Sequence, residues 1–531
     1  MRFYLDGNEL PAPVEWQDIE FNAQFNDFAT QPSLDISELT FVNEAYYYIV
    51  AHIDKGLIFT PIQLQIEVGT FVFNAILDLS DGYKDIHPNK LTASVKDLNG
   101  INLLSQRLEG LTFGLLEDRG VFNDDDFVEI PIIIVKQFDT TDVALLSIAS
   151  YILIKDLLEF AEKSSEKAGT AAKGTTDPRE LVYAVLLGII QAAYYASLII
   201  ALINMVRQVL TQLIPQRPEY KGTTLRTLMS KALSELGYTF ESSIPELDWV
   251  YMPSKVNERV NDNQRENGLP RVSDYGYGCM ELFQLAKSLF KAQFKVTNNI
   301  VQLEPEVSGF WEKDSTYQLP DVLMEQKEYN ASELRANRLY SFSIDSADTY
   351  TATEWKGTSF EIINKSGEML KGMEEIRWNI ALGKPKERLT ALEDAINFFI
   401  KSGNAIIAKL GGAKSDLVDF GANRIKISQP FTQMPKLISL ENGKPTKEVS
   451  ARSLVEKYHF EADLQYELYK GMTIPFNEED LQSLLVNSYF NYRGARAKID
   501  SFKYVASMNK AVVDCRIEKQ YAKVTQTKIE P

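Results

Sequence analysis

Ile62-Gln63-Leu64-Gln65-Ile66-Glu67-Val68 alternates apolar and polar residues without a break, and after Gly69-Thr70 the chain continues Phe71-Val72-Phe73-Asn74-Ala75-Ile76-Leu77-Asp78-Leu79. Successive side chains of a strand point to opposite faces, so the first run predicts a strand with one buried and one wet face. Leu91-Thr92-Ala93-Ser94-Val95-Lys96-Asp97 reads as a further strand. Upstream, Phe3-Tyr4-Leu5 meets Asp6-Gly7-Asn8 and then Glu9-Leu10, a hairpin signal. Downstream, Glu129-Ile130-Pro131-Ile132-Ile133-Ile134-Val135 predicts a more buried strand. Residues 1–140 are therefore expected to form a β-rich barrel or sandwich domain.

The pattern changes at 141–219. Val143–Phe160 is apolar with helical spacing, and 163–176 is a polar, small-residue linker. Asp177 and Pro178 suit the N-cap and first position of a helix. That helix runs into Leu181–Val206, LVYAVLLGIIQAAYYASLIIALINMV, a stretch without a charged residue between Glu180 and Arg207. At 1.5 Å per residue it reaches roughly 39 Å, more than the ~30 Å of a hydrocarbon core. Leu186, Leu187, Ile189, Ile190, Leu198, Ile199, Ile200, Leu202 and Ile203 are its membrane-facing or core-facing residues. Three roles stay open: a buried helix at an oligomer axis, a membrane-inserting element, or a constitutive anchor. Both flanks run into long soluble stretches without a strong Lys/Arg asymmetry, which ranks the anchor last.

Residues 220–325 read as a mixed α/β domain. Leu225, Leu228, Met229, Ala232 and Leu236 share a helix face that Gly237 ends. Met280–Phe294 predicts a second helix with Leu282, Leu285, Ala286, Leu289 and Phe290 on its face. Lys295–Leu303 reads as a hairpin turning at Asn298-Asn299. Residues 326–531 read as a β-rich C-terminal domain with one helix over Arg388–Ile400, where Thr390 and Glu393 have capping-box spacing. Lys510–Lys528 reads as a final strand. The whole is an α+β, multidomain chain with a helical insertion containing one long apolar helix. Four domains suit 531 residues at about 100–200 residues each.

Composition excludes more than it selects. The net charge is −17, from 73 acidic and 56 basic residues, whereas a binder of nucleic acid in general needs a basic footprint. No sequence-specific nucleic-acid partner is expected. Cys279 and Cys515 are too few and too far apart for a disulfide framework or zinc site, and read as small buried hydrophobes. MRFYLDGNEL lacks the basic and apolar regions of a signal peptide, so synthesis in a host cytoplasm is expected. His52, His87 and His459 fall in no metalloprotease pattern. Gly411-Gly412-Ala413-Lys414-Ser415 lacks the glycine a phosphate loop needs before its lysine. Gly276-Tyr277-Gly278 lacks the third glycine of a dinucleotide fingerprint. Asp124-Asp125-Asp126 lacks calcium-loop spacing and reads as a solvated turn. No catalytic residue, cofactor or metal site is predicted. A carboxylate pair for wall cleavage has no sequence signature and stays open.

Several stretches, in order, resemble the large tail structural proteins, hub-like in layout, of phages infecting Bacteroidetes-type bacteria. They are Phe3-Tyr4-Leu5-Asp6-Gly7 with Trp16, and Phe41 to Tyr48 as an aromatic strand-plus-tyrosine element. Phe310-Trp311-Glu312-Lys313 follows, with Tyr317-Gln318-Leu319-Pro320-Asp321-Val322, then Trp355-Lys356-Gly357-Thr358 and Leu382-Gly383-Lys384-Pro385-Lys386-Glu387-Arg388-Leu389-Thr390. Val455-Glu456-Lys457-Tyr458-His459, Gly471-Met472-Thr473-Ile474-Pro475-Phe476 and Tyr521-Ala522-Lys523-Val524 complete the series. The helical insertion departs from that layout. The resemblance implies β-rich hub domains and a virion protein at the tail tip or baseplate. It also implies a homotrimer that contacts the tail tube, the spike and other baseplate proteins and takes part in genome ejection. Alternatives are a delivery component that enters the host membrane through the apolar helix, and a cell-wall-degrading tail enzyme.

Overall fold

A computed structural model describes residues 1–14, 16–24, 33–86, 89–97, 101–134, 220–254, 267–271, 278–297, 299–305, 318–320, 326–330, 336–348, 351, 358–365, 372–386, 401, 423–428, 432–459, 465–481, 490–519 and 525–529. The apolar stretch Leu181–Val206, with Leu186, Leu187, Ile189, Ile190, Leu198, Ile199, Ile200, Leu202 and Ile203, lies outside the described residues, as do 388–400 and 411–415. Among the described residues no helix is long and apolar enough to cross a membrane.

The N-terminal sheet has seven strands. Its order is Asn8–Leu10, Arg2–Leu5, Ile62–Val68, Phe71–Leu77, Lys90–Asp97, Glu38–Val42, with Tyr83–Ile86 also paired to Lys90–Asp97. Alternation sets its inner face: Ile62, Leu64, Ile66, Phe71, Phe73, Ala75 and Leu77 are all buried. The first hairpin closes through Asp6 and Gly7, at φ +47° and +79°, the pair of positive angles that a tight two-residue turn requires. The Asp6 carboxylate accepts from Gln63 N–H at 2.9 Å and from the Tyr48 hydroxyl at 2.8 Å, which pins the turn to its neighbours.

The stretch 1–140 is not strand throughout. Asn43, at φ +54°, ends the strand Glu38–Val42 and begins the helix Asn43–Asp54. Ala45, Tyr46 and Ile49 are its buried residues. Ile101–Glu109 and Phe113–Asp118 are helices too, the second capped by Thr112, whose side chain accepts from Leu115 N–H. These short helices pack into a core with Leu225–Glu235, Cys279–Leu289 and Ala451–Tyr458. The helix Leu225–Glu235 follows its expected face, with Leu225, Leu228, Met229, Ala232 and Leu233 buried and the Thr224 side chain capping its start. The second helix stops at Leu289, earlier than the periodicity predicts. Ala292–Thr297 is already a strand, paired with Ile300–Pro305 across the expected two-residue turn, where Asn299 has φ +62°.

Pro131 splits the apolar run at 128–134 between two sheets. Without an amide N–H, proline cannot donate to a ladder. Val128–Ile130 joins a five-stranded sheet in the order Val128–Ile130, Tyr220–Thr224, Val250–Met252, Lys436–Ile438, Ala381–Leu382. Ile132–Ile134 instead runs parallel to Arg424–Ile427, and Ile425 N–H donates to the Pro131 carbonyl at 2.7 Å. Gly222 sits where this packing is tightest. A Cβ there would lie 2.6 Å from Ile130 Cδ1 and 2.7 Å from the Tyr251 carbonyl oxygen. Gly222→Ala is expected to cost about 1–3 kcal/mol through overpacking, read as a lowered urea midpoint at unchanged slope.

The C-terminal sheet runs Gln326–Asn330, Gln465–Pro475, Lys510–Lys519, Ala495–Val505, Glu20–Gln24, Ser33–Asp35, with Phe490–Tyr492 beside Ala495–Val505. Two of its strands thus come from the start of the chain. One hydrophobic core accordingly joins Phe3, Phe21, Ile66 and Phe73 to Met472, Phe502, Tyr504 and Val513. The predicted strand Lys510–Lys528 is two elements. Lys510–Lys519 belongs to this sheet, and Thr525–Ile529 pairs with Ser359–Lys365 in a separate four-stranded sheet.

Candidate functional site

Where they fall on described residues, the motifs singled out in the sequence turn out to be local structure. The side chain of Asp126 accepts from Asn123 N–H at 2.8 Å and meets Lys231 Nζ at 2.8 Å, so the three-aspartate turn is held by its own chain and a lysine. Among the described residues, no group of three or more His, Cys, Asp and Glu could hold a metal ion. Gly278 precedes the helix Cys279–Leu289 and bridges to Thr112. Cys279 and Cys515 are both buried free thiols, and burial pushes the Cys279 thiol well above its usual range. His459 is buried against Tyr340 and Trp378, its Nε2 hydrogen-bonded to the Leu289 carbonyl at 3.0 Å. His52 bonds the Thr60 carbonyl at 2.9 Å, and His87 lies outside the described residues.

The chemistry-bearing cluster lies elsewhere, between the five-stranded and four-stranded sheets. Lys436 opens the strand Lys436–Ile438, and its side chain is 0% exposed. Its Nζ lies 3.2 Å from Asp345 Oδ2, 3.0 Å from Asp348 Oδ2 and 3.2 Å from Thr351 Oγ1. Asp345, Asp348 and Thr351 are buried as well. They sit on the segment that follows the strand Asn337–Phe342. Asp345 Oδ1 accepts two backbone N–H groups, from Ala347 at 3.0 Å and Gln433 at 3.2 Å. Asp348 Oδ1 accepts from Ser428 N–H at 3.2 Å, and its Oδ2 accepts from the Thr351 hydroxyl at 2.7 Å. Burial, with Asp345 beside it, pushes the Tyr220 phenol well above its usual range. One ammonium thus faces two carboxylates out of water, an arrangement stable only when its lone pairs and protons are met by further hydrogen bonds.

Sequence reasoning missed this cluster because its members are about ninety positions apart and match no motif. The one local cue is Lys436 itself, a lone charge between Pro435 and the apolar Leu437-Ile438. A cleft of about 530 Å³ lies on the surface, lined among others by Glu246, Asp248, Trp249, Glu448 and Lys457. Its charges are already engaged: Glu246 with Lys457 and Tyr458, Asp248 with Arg226, and Glu448 with Ser439.

A third feature is an open edge. Tyr83–Ile86 pairs only with Lys90–Asp97 among the described residues, and all four of its residues are exposed. Ile86 is 50% and Tyr83 38% exposed. The neighbouring helix contributes Tyr47, also exposed, whose hydroxyl donates to Asn89 at 3.3 Å.

No protein-family model and no curated protein matches the sequence. Among solved structures, the chain is similar to prophage tail protein gp18 from Listeria monocytogenes EGD-e, at 8% identity and a TM-score of 0.35 over 97% of this chain and 92% of that one. It is similar to the 43 kDa tail protein of prophage MuSo2 from Shewanella oneidensis, at 8% identity and a TM-score of 0.35 over 97% of each chain. It is also similar to the tail protein from Neisseria meningitidis MC58, at 4% identity and a TM-score of 0.36 over 98% and 96%. All three are described as tail proteins. Likeness at these scores decides neither the fold nor the activity of this chain.

Proposed function

We propose that this chain is a structural component of a phage tail that works by assembly and not by catalysis. Its place is the baseplate hub that joins the tail tube to the spike or tip, with a part in genome delivery. The observation that carries the assembly reading is the strand Tyr83–Ile86, exposed on all four residues and presenting Tyr83 and Ile86 to solvent. An open strand edge with apolar side chains is a template for a further strand, and natural proteins cover or blunt such edges. Covering it in an oligomer removes the hazard. The order of the hub-like motifs along the chain supports the tail assignment. The net charge of −17 suits a wall past which DNA moves without being held.

The partners in this reading are further copies of the chain in a homotrimer, together with the tube, the spike or other baseplate proteins. Negative-stain imaging and sedimentation of the purified chain test it. A three-fold ring is expected, and a monomer at high concentration removes the reading. Ile86→Lys puts a charge on the open edge and is expected to weaken self-association by about tenfold or more, with the circular dichroism of the folded chain unchanged. Equal association of the variant would clear this edge of the role.

A further inference from the structure

We infer that Lys436 and Asp345 are the two halves of a self-forming covalent cross-link, an amide between Lys436 Nζ and Asp345 Cγ. The inference rests on the buried cluster alone and stands apart from the tail reading. A lysine amine and a carboxyl group condense only when the amine loses its proton, the carbonyl oxygen is stabilised and water is excluded. The cluster meets all three needs.

Lys436 Nζ is wholly buried and lies 3.2 Å from Asp345 Oδ2. Asp348 Oδ2, 3.0 Å from the same nitrogen, is placed to take an ammonium proton. The Thr351 hydroxyl donates to that oxygen at 2.7 Å and holds Asp348 in position. The other oxygen of Asp345, Oδ1, receives the N–H groups of Ala347 at 3.0 Å and Gln433 at 3.2 Å. Two backbone donors on one oxygen are the means by which acyl-transfer sites stabilise a tetrahedral intermediate. Both are backbone groups, and the Ser346 hydroxyl, which donates to Gln433 Oε1 at 2.7 Å, ties the two loops that carry them. Nucleophile, base, electrophile and oxyanion donors are therefore assembled with no group missing.

The step balances without a co-reactant. Asp348 takes one proton from the Lys436 ammonium and passes it to Asp345 Oδ2, and the freed lone pair attacks Cγ of the resulting carboxylic acid, placing negative charge on Oδ1. A second proton moves from the nitrogen to Oδ2, and the Oδ2–Cγ bond breaks to release water. Of the three ammonium protons, one remains on the amide nitrogen and two leave with the oxygen. One positive and one negative charge disappear together, so the product removes an ion pair from a site where charges are costly.

Intact mass spectrometry of the full chain under denaturing conditions tests the proposal. The expected mass is that of the sequence less one water, and a tryptic digest should yield a branched peptide joining the segments that hold Lys436 and Asp345. A full sequence mass, with both segments recovered as linear peptides, overturns it. So does a one-water deficit confined to a linear peptide, as an aspartyl succinimide would give. In Lys436→Arg the full mass is expected. In Asp348→Asn the cross-link should form more slowly by on the order of a hundredfold, and an unchanged rate would overturn the role of Asp348 as base. Circular dichroism of each variant, matched to that of the unsubstituted chain, establishes that the fold is kept before the masses are compared.

Discussion

Phe21→Ala is expected to lower the stability of the folded chain by about 3–5 kcal/mol and to separate the unfolding of its two largest sheets. Phe21 is fully buried on the strand Glu20–Gln24, which pairs with Ala495–Val505 so that Phe21 lies opposite Tyr504. Its ring stands edge-on to Phe71 at 6.2 Å and Phe73 at 5.6 Å, both on the N-terminal sheet, and is tilted against Tyr504 at 6.1 Å on the C-terminal sheet. One side chain from the start of the chain therefore fills the seam between two sheets. Truncation removes the burial of an aromatic ring and leaves a cavity lined by rings that cannot collapse onto it. Urea unfolding followed by circular dichroism and by tryptophan emission measures both effects. The midpoint should fall, and the two probes should cease to coincide. Asn22→Ala, at a half-buried position on the other face of the same strand, should change stability by no more than about 0.5 kcal/mol. Equal loss in both variants would show that the strand matters only for its backbone pairing.

The same strand shows where sequence reading stops. Ile62–Val68 was legible because a strand with one wet face writes its geometry into a period of two. The helix Leu225–Glu235 was legible because an apolar face at helical spacing met a stopping glycine at Gly237. Nothing local in Glu20–Gln24 says that its partner is Ala495–Val505, since strand pairing between distant segments depends on which edge is free once everything else has folded. The helix Asn43–Asp54 was misread because Tyr46-Tyr47-Tyr48-Ile49-Val50 is rich in residues that favour strands, and packing on the sheet overrides that preference. Lys510–Lys519 and Thr525–Ile529 alternate as if continuous, yet belong to different sheets. The hub-like motifs show the same limit. Among the described residues they fall on the strand Arg2–Leu5, the end of the helix Ala451–Tyr458 and the bulged strand Gln465–Pro475, positions set by packing, and Leu382 pairs with Leu437 on the strand that carries Lys436.

Lys436→Met is expected to cost about 3–5 kcal/mol, the usual consequence of removing one partner from a buried ionic group. The variant leaves Asp345 and Asp348 facing a methyl group where an ammonium had met both carboxylates and Thr351. Packing is nearly preserved, since methionine follows the lysine stem, so the loss reports charge and hydrogen bonding more than cavity volume. Combining Lys436→Met with Asp345→Asn and Asp348→Asn removes the orphaned charges, and a purely ionic cluster would then recover a large part of the stability, because an uncharged replacement of a buried ionic cluster is often close to neutral. Failure to recover would mean that the amide cross-link, or the backbone geometry of the two loops, holds this region and not the balance of charge. The denaturant melts of the single and triple variants separate these outcomes. The cross-link constrains the unfolded chain between residues 345 and 436, so its loss persists in the triple variant, whereas a purely ionic lock is replaced by it.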